Sequence, residues 1–289
     1  MTIKQLAKRV LPPIFVDILK CCIKAMGLEE ARKVPPEWEY VPEGWRHADP
    51  HVKGWNDRSV LEIQKAKWPE TLQLVKDSKP LVLAREDMTP SERNYSVHNT
   101  FMCYAYALAL TARKRDSLSL LDWGGGLGFY YLLSKALLPG VEIDYHCKEL
   151  PLLCEEGRRL FPNATFYDDE ECFKRSYDLA LVSGSLQYVE DWRGTIARLA
   201  SVSRSYLYVT RLPIALHAPS FVVVQRPSGY NTQYLCWFLN RKEFLDHLLT
   251  LNLDLLREFL IDDRPSVYNA PEQGEYRGFL FHARERGHE

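Results

Sequence analysis

The sequence lacks an excess of charge of either sign and lacks the cysteine spacing of a metal site. Its 289 residues carry 37 lysines and arginines against 38 aspartates and glutamates, a formal net charge of −1. Such a balance gives no general attraction to nucleic acid. Seven cysteines are present, none in a C-x-x-C pattern, which predicts reduced thiols in a cytoplasmic protein and no metal site.

A long uninterrupted apolar run is also missing. A helix is predicted from Ile14 to Met26, but Asp17, Lys20 and Lys24 interrupt its apolar residues, so it cannot span a bilayer. The segment also lacks the apolar core and cleavage site of a signal peptide. Residues 1–28 therefore form either a basic interfacial helix on a membrane or partner, or a helix packed on its own domain. The second is favoured, because one-sided apolar faces usually serve a core.

One stretch near the middle of the chain organises the rest. The apolar run Leu118 to Leu121 predicts a buried parallel strand, and Asp122 follows it. A turn with alternate glycines comes next, and then an apolar helix from Phe129 to Leu138, stopped by Pro139-Gly140. The glycines of the turn are Gly124, Gly125, Gly126 and Gly128.

Alternate glycines allow positive φ and let a ligand approach the backbone, while the helix start behind them offers free N–H groups. A nicotinamide-binding turn would need a third glycine at position 129, where Phe129 stands. The spacing D-x-G-x-G-x-G resembles motif I of the class I S-adenosyl-L-methionine (SAM)-dependent methyltransferases, whose loop holds the methionine end of SAM. The alternative is a glycine-rich turn without a ligand.

Carboxylates follow the next two predicted strands. Glu149 ends the second strand, 21 residues beyond Gly128, where a βαβ nucleotide site needs an acid to accept from ribose hydroxyls. A short third strand, Ala164 to Tyr167, leads into four acids. In the methyltransferase pattern this loop contacts adenine, so Asp168 and Asp169 are candidates, although an acidic run is often only a solvated face.

The resemblance extends over residues 117–283. The fourth strand reads Y-D-L-A-L-V-S from Tyr177 and turns at Ser183 and Gly184, as in many class I methyltransferases. This resemblance implies an α/β fold with a Rossmann-like seven-stranded sheet, helices on both faces and an N-terminal helical cap. The runs L-D-W-G-G-G-L-G, K-E-L-P and T-R-L-P also resemble a bacterial methyltransferase family often found among polysaccharide biosynthesis proteins, which makes a glycan hydroxyl a plausible acceptor.

Missing motifs narrow the chemistry that the resemblance allows. Methyltransferases that act on the amino groups of bases use an N/D-P-P-Y/F turn where this chain has Ser183-Gly184-Ser185-Leu186, and cytosine C5 enzymes need a cysteine, typically after proline, that is absent here. Catechol-type enzymes hold Mg²⁺ with carboxylates just past the fourth strand, where Ser183 and Ser185 cannot replace them. Metal-free transfer to a small molecule or glycan remains.

The acceptor site is predicted in a long aromatic loop from Leu212 to Leu239, at the carboxyl end of the fifth strand. His217 is its candidate general base, because histidine titrates near neutral pH. The alternative is an ordinary loop histidine. Arg211 and Gln225 are expected to orient an oxygen-rich acceptor, and Tyr230 and Tyr234 to stack on a sugar face.

The predicted organisation is a helical and irregular cap over residues 1–95 and a SAM-binding domain over residues 96–289. Within the cap, helices are expected from Ser59 to Lys67 and from about Glu70 to Lys76. The predicted function is metal-independent O-methylation of a small-molecule or glycan acceptor, with possible membrane contact through residues 1–28. A non-catalytic SAM-fold scaffold is the second hypothesis, because fold does not fix function. A nucleotide-dependent oxidoreductase is the third.

Overall fold

The structure is a computed structural model that describes residues 35–47, 49–77, 81 and 95–284. The described residues from 37 to 284 form one compact unit of the chain. The helix predicted from Ile14 to Met26 lies outside the described residues, and the division of the chain at residue 95 stays a prediction. None of the described helices is long and apolar enough to cross a membrane.

The described elements alternate between strands and helices through most of the chain. The strands are β1 (Trp38–Tyr40), β2 (Ser117–Trp123), β3 (Glu142–Lys148), β4 (Thr165–Tyr167), β5 (Tyr177–Ser183), β6 (Ser203–Ala215), β7 (Phe221–Gln225), β8 (Tyr234–Asn240), β9 (Leu253–Leu260) and β10 (Glu275–Ala283). The α-helices are α1 (Arg58–Lys76), α2 (Tyr95–Ala112), α3 (Phe129–Leu137), α4 (Pro151–Leu160), α5 (Trp192–Val202) and α6 (Arg241–Leu249).

Seven strands form the predicted central sheet. Their spatial order is β4-β3-β2-β5-β6-β10-β9, with β2 to β6 parallel and the closing pair β9 and β10 antiparallel. From β2 the chain proceeds outward to β3 and β4, and then crosses to the other side of β2 to form β5. The strand order therefore reverses between β2 and β5, the position at which open α/β sheets bind ligands.

Each strand sends alternate side chains to opposite faces, and helices cover both. On one face, Val182 and Leu207 pack with residues of α5 and α6 such as Trp192 and Phe244. On the other face, Leu181 and Tyr208 pack with residues of α2, α3 and α4. The predicted α/β fold with helices on both faces is confirmed.

The prediction of one long loop from Leu212 to Leu239 is wrong. β6 continues to Ala215, and β7 and β8 form an antiparallel pair that joins the sheet through β6 and also carries β1. Most residues of β7 and β8 are buried. Aromatic residues in this segment therefore pack in a core and do not line an open loop. With β1, β7 and β8 the sheet has ten strands.

The two polar helices predicted around Pro69 are a single helix, α1. Asp57 caps its start, because the Asp57 carboxylate accepts a hydrogen bond from the Ser59 N–H. Pro69 lies inside the helix and lacks an N–H to donate to the preceding turn. Two residues later the Thr71 hydroxyl donates to the Lys67 carbonyl, 3.0 Å away. The helix thus continues through the proline to Lys76.

Candidate functional site

The glycine turn after β2 has the backbone conformation that its sequence predicts. Gly124, Gly126 and Gly128 have φ values of 76°, 58° and 90°, a region that other residues enter only with strain. Helix α3 starts directly after Gly128 without a side-chain cap. The N-terminal turn of α3 therefore presents backbone N–H groups and the positive end of a helix dipole beside the glycine loop.

Asp122 lies beneath this loop rather than on its surface. Its side chain is fully buried, and one carboxylate oxygen accepts a hydrogen bond from the Tyr145 hydroxyl at 2.5 Å. A Cβ on Gly125 would collide with the Asp122 carboxylate. Burial raises the pKa of Asp122 to about 7, against the opposing effect of the Tyr145 hydrogen bond. The structure thus places Asp122 as a support under Gly125, and its contact with SAM stays a prediction.

We expect the Asp122→Asn variant to lose a pH dependence of stability that the parent has. The folded-state pKa of Asp122 lies above its usual value of 3.8, so the folded protein binds the proton more tightly than the unfolded chain. The contribution of Asp122 to stability must then fall as pH rises from about 4 to about 7, by at most a few kcal/mol. Urea unfolding of both proteins across this pH range measures the free energy of unfolding. An equal dependence of that free energy on pH in the two proteins would contradict the raised pKa of Asp122.

Glu149 lies at the edge of the same loop. Its carboxylate accepts hydrogen bonds from the Gly126 N–H, 3.1 Å away, and from the Leu150 N–H, 2.9 Å away. The Gly124 N–H donates to the Lys148 carbonyl, which ties the loop to the end of β3. Burial raises the pKa of Glu149, although both backbone donors oppose this rise. Glu149 therefore orders the glycine loop, and its role toward the ribose stays a prediction.

The turn after β5 meets the glycine loop at the reversal of strand order. The Ser185 hydroxyl donates to the Trp123 carbonyl at 2.8 Å, and a Cβ on Gly124 would collide with the Ser185 side chain. The Ser183 hydroxyl forms a 2.8 Å hydrogen bond with the Tyr130 hydroxyl of α3. Gly184 turns the chain with a φ of 67°. Ser183 and Gly184 are thus brought to the predicted cofactor site.

The two candidate adenine-binding acids lie beyond β4 and are exposed. Asp168 pairs with Arg158, with 3.2 Å between Oδ1 and Nη2, and this hydrogen bond holds the pKa of Asp168 below its usual value. The Asp169 carboxylate accepts from the Glu171 N–H at 3.0 Å, at the first residue of a short 3-10 helix. Both acids have structural partners, and their role toward adenine stays a prediction.

His217 lies away from the carboxyl edge of the central sheet. Thr210 is level with Ser183, and β6 then continues for five more residues, or roughly 16 Å at about 3.3 Å per residue. His217 is exposed in the turn after β6, where its N–H donates to Glu272. The prediction that His217 is a general base assumed that the loop carrying it starts at the site. Because β6 continues past the site, that assumption is wrong. The role itself stays a prediction.

Helix α1, which lies within the predicted cap region, covers the glycine loop at a residue that the sequence does not signal. An added Cβ on Gly126 would lie 2.9 Å from the Gln64 side-chain oxygen. Lys65 forms an ion pair with Glu156 of α4 at 3.6 Å, and the Trp68 ring contacts the Phe161 ring edge-to-face at 5.8 Å. Gln64 is therefore a candidate site residue that sequence reasoning missed, because a glutamine within a polar helix carries no motif.

An aromatic cluster lies beside the turn after β5. Trp55 stacks on Tyr234 with ring centroids 4.0 Å apart and contacts Tyr188 edge-to-face at 4.9 Å. The Tyr188 hydroxyl donates to the Gln225 side-chain oxygen at 2.8 Å, which brings Gln225 toward this turn. Because Trp55 covers one face of Tyr234, that face is not open to a sugar. The Trp55 indole N–H and the Tyr234 hydroxyl are buried, with no hydrogen-bond partner among the described residues.

No protein-family model and no curated protein sequence matches the chain. Solved structures do match. A candidate sarcosine dimethylglycine methyltransferase from Galdieria sulphuraria is 13% identical with a TM-score of 0.53, and the match covers 80% of this chain and 99% of that one.

Two further matches have lower TM-scores. Magnesium protoporphyrin IX methyltransferase from Synechocystis PCC 6803 with bound S-adenosylhomocysteine (SAH) is 12% identical with a TM-score of 0.48, over 79% of this chain and all of that one. The 1,6-didemethyltoxoflavin-N1-methyltransferase of Burkholderia thailandensis is 13% identical with a TM-score of 0.46, over 88% and 99%. At such identities a likeness to solved structures bears on the fold alone, and with the strand order it shows that this chain has the class I SAM-dependent methyltransferase fold.

Proposed function

We propose that the protein is a SAM-dependent methyltransferase that acts without a metal ion on a small-molecule or glycan acceptor. The observation that carries this proposal is the glycine loop at the reversal of strand order. Three glycines with positive φ lie there between the uncapped start of α3 and the Glu149 carboxylate. Such a loop lets a ligand approach the backbone and offers it both donors and an acceptor.

The residues present fit SAM in charge and in hydrogen-bonding capacity. The N–H groups at the start of α3 suit the carboxylate of its methionine part. The Glu149 carboxylate accepts from the loop and, with its remaining lone pairs, can also accept from two ribose hydroxyls. Asp168 or Asp169 would accept from the adenine amino group, and Ser183 and Gly184 would line the opposite side of the pocket.

Alignment supplies much of the rate enhancement in this proposal. Bound SAM provides a methyl group on a sulfonium. The sulfur is a good leaving group, because it departs as a neutral thioether. The turn after β5 and the cover formed by α1 would hold the acceptor in line with that methyl group and exclude water. An oxygen acceptor would also benefit from a base, for which His217 is the candidate from the sequence. The described residues contain no cluster of side chains suited to a metal ion.

Transfer of a labelled methyl group tests the proposal. The full-length protein is incubated with methyl-labelled SAM and pooled small-molecule and glycan extracts, and mass spectrometry identifies products that gain one methyl. We expect labelled product from the parent and none from the Gly126→Val variant. Binding of SAH without any labelled product would favour the non-catalytic scaffold.

For residues 1–28, we propose peripheral contact with a membrane through the apolar residues of the segment, as the alternative to packing on the domain. Its sequence combines five basic residues with an apolar series that acidic and basic residues interrupt, the composition of an interfacial helix. Deleting residues 1–28 should abolish flotation with anionic liposomes while SAM affinity stays unchanged. If the deletion instead unfolds the protein, the segment is part of the core.

A further inference from the structure

We infer that Arg211 binds an anionic group of the methyl acceptor, so that the acceptor is a carboxylate- or phosphate-bearing molecule. This inference rests on the proposed function, because it places the acceptor next to the SAM site. It follows from the local shape of β6, the position of the Arg211 side chain and the charges around it.

Arg211 is the extra residue of a β-bulge in β6. Val209 pairs with Phe279 of β10 and Leu212 pairs with Arg277, so Thr210 and Arg211 together oppose the single residue Gly278. The alternation of β6 side chains confirms the bulge. Leu207 and Val209 face the same apolar cluster as Leu212 and Ile214, which shifts the buried positions from odd to even numbers. Bulges of this kind re-aim a side chain and are common next to active sites.

The backbone at this position is strained. Arg211 has a φ of 52°, in the left-handed region that a residue with a Cβ enters only with strain. An ordinary strand residue would place its side chain on the covered face of the sheet, whereas Arg211 is exposed between the buried neighbours Thr210 and Leu212. The strain therefore accompanies an arginine that leaves the sheet at its carboxyl edge.

The guanidinium group lies over the turn after β5. An added Cβ on Gly184 would be 3.5 Å from both Cζ and Nη1 of Arg211. The positive charge also acts on two hydroxyls of the site. It partly opposes the burial that raises the pKa values of Tyr130 and Tyr188. Because Tyr130 bonds Ser183, and Tyr188 belongs to the aromatic cluster, the charge of Arg211 acts on both the predicted cofactor site and that cluster.

No carboxylate among the described residues forms an ion pair or hydrogen bond with Arg211. Arginines elsewhere in the same sheet region are neutralised: Arg241 and Arg277 both pair with Glu258. An arginine without such a partner beside the predicted SAM site would add its positive charge to that of a bound sulfonium, which is unfavourable in a partly desolvated site. An anionic group on the acceptor would remove this repulsion, and the planar guanidinium suits a carboxylate or phosphate with two parallel hydrogen bonds.

Side-chain NMR of arginine tests the inference directly. The full-length protein, labelled with ¹⁵N in arginine, is titrated separately with inorganic phosphate and with acetate at constant ionic strength, with and without SAH. The Arg211→Lys variant identifies the Arg211 signal. Arg257 is the matched control, since it is also exposed and lies on β9 of the same sheet. The phosphate and acetate arms distinguish a phosphorylated acceptor from a carboxylic acid.

We expect a saturable shift of the Arg211 Nε–H signal with at least one of the two anions, and no saturable shift for Arg257. In calorimetry, Arg211→Gln should weaken the affinity for that anion at least about ten-fold, the effect usual for losing a charge-assisted hydrogen bond, while Arg257→Gln leaves it unchanged. If Arg211 responds no differently from Arg257 to both anions, the inference is wrong. Failure to bind SAH, with the Arg211 response intact, would instead contradict the proposed function.

Discussion

The Gly126→Val variant should fold and should lose SAM binding by more than about a hundred-fold. Gly126 has a φ of 58°, and an added Cβ would point at the Gln64 side chain over the loop. Valine would therefore fill the space through which a ligand must approach the backbone. The left-handed conformation costs a β-branched residue about 2 kcal/mol or more, which is smaller than the 5–15 kcal/mol stability of a typical domain. Circular dichroism and calorimetry with SAM measure the two expectations.

Gly140→Val is the matched control for this variant. Gly140 follows helix α3 in an exposed turn, and a Cβ added there meets no atom within 4 Å. It should bind SAM like the parent. Parental SAM affinity in a folded Gly126→Val protein would show that the glycine loop is not the cofactor site. A milder Gly126→Ala variant extends the test, because its single methyl group would contact only the mobile end of Gln64.

The Glu149→Ala variant should bind SAM about ten- to a hundred-fold more weakly. Losing charge-assisted hydrogen bonds to the ribose typically costs about 1.5–3 kcal/mol. The structure adds a second reason for a loss, because the Glu149 carboxylate also holds the Gly126 and Leu150 N–H groups. Glu149→Gln separates the two contributions, since its amide oxygen can still accept from one of these donors. Calorimetry with SAM and SAH measures both variants.

Glu142 provides the control for Glu149. Glu142 is the first residue of β3, the strand that ends just before Glu149, so the two acids lie at opposite ends of that strand. Glu142 is exposed. Glu142→Ala should leave SAM affinity unchanged. A Glu149→Ala protein that binds as tightly as the parent would remove Glu149 from the site.

Much of the fold could be predicted because its signals are local. Apolar runs ending in a polar turn marked β2 and β5, and the predicted fourth strand from Tyr177 to Ser183 has the observed bounds of β5. The run Asn240-Arg241-Lys242-Glu243 predicts a capping box at the start of α6, and the Asn240 side chain does accept from the Glu243 N–H. The reciprocal bond of the box is absent, because the Glu243 carboxylate accepts from the Ser220 hydroxyl instead. Only tertiary structure supplies Ser220 as a competing donor.

The prediction errors arise where long-range contacts decide the secondary structure or the position of a side chain. The sequence from Leu212 to Leu239 predicts a long aromatic loop, yet pairing with β6 and β1 makes strands of much of it. Gln64 approaches the glycine loop only because α1 packs against α3 and α4. The bulge at Arg211 depends on Gly278, which is 67 residues away along the chain and faces it across the sheet. Local periodicity records none of these pairings.

The same limit applies to individual site residues. Spacing from Gly128 placed Glu149 beside the loop, because strand and helix lengths in a βαβ unit are nearly fixed. The role of Asp122 could not be predicted from spacing, since its burial and its hydrogen bond to Tyr145 depend on how β2 and β3 align. His217 was placed at the site only because β6 was predicted to end too early.

Calorimetric titration of the full-length parent protein with SAH, and separately with NADH, tests the central claim most directly. SAH lacks the methyl group and cannot react, so its heat reports binding to the glycine loop alone. We expect saturable binding of one SAH per chain, lost in Gly126→Val and kept in Gly140→Val, and no binding of NADH. A folded parent protein that binds NADH but not SAH would contradict the assignment of this loop to SAM.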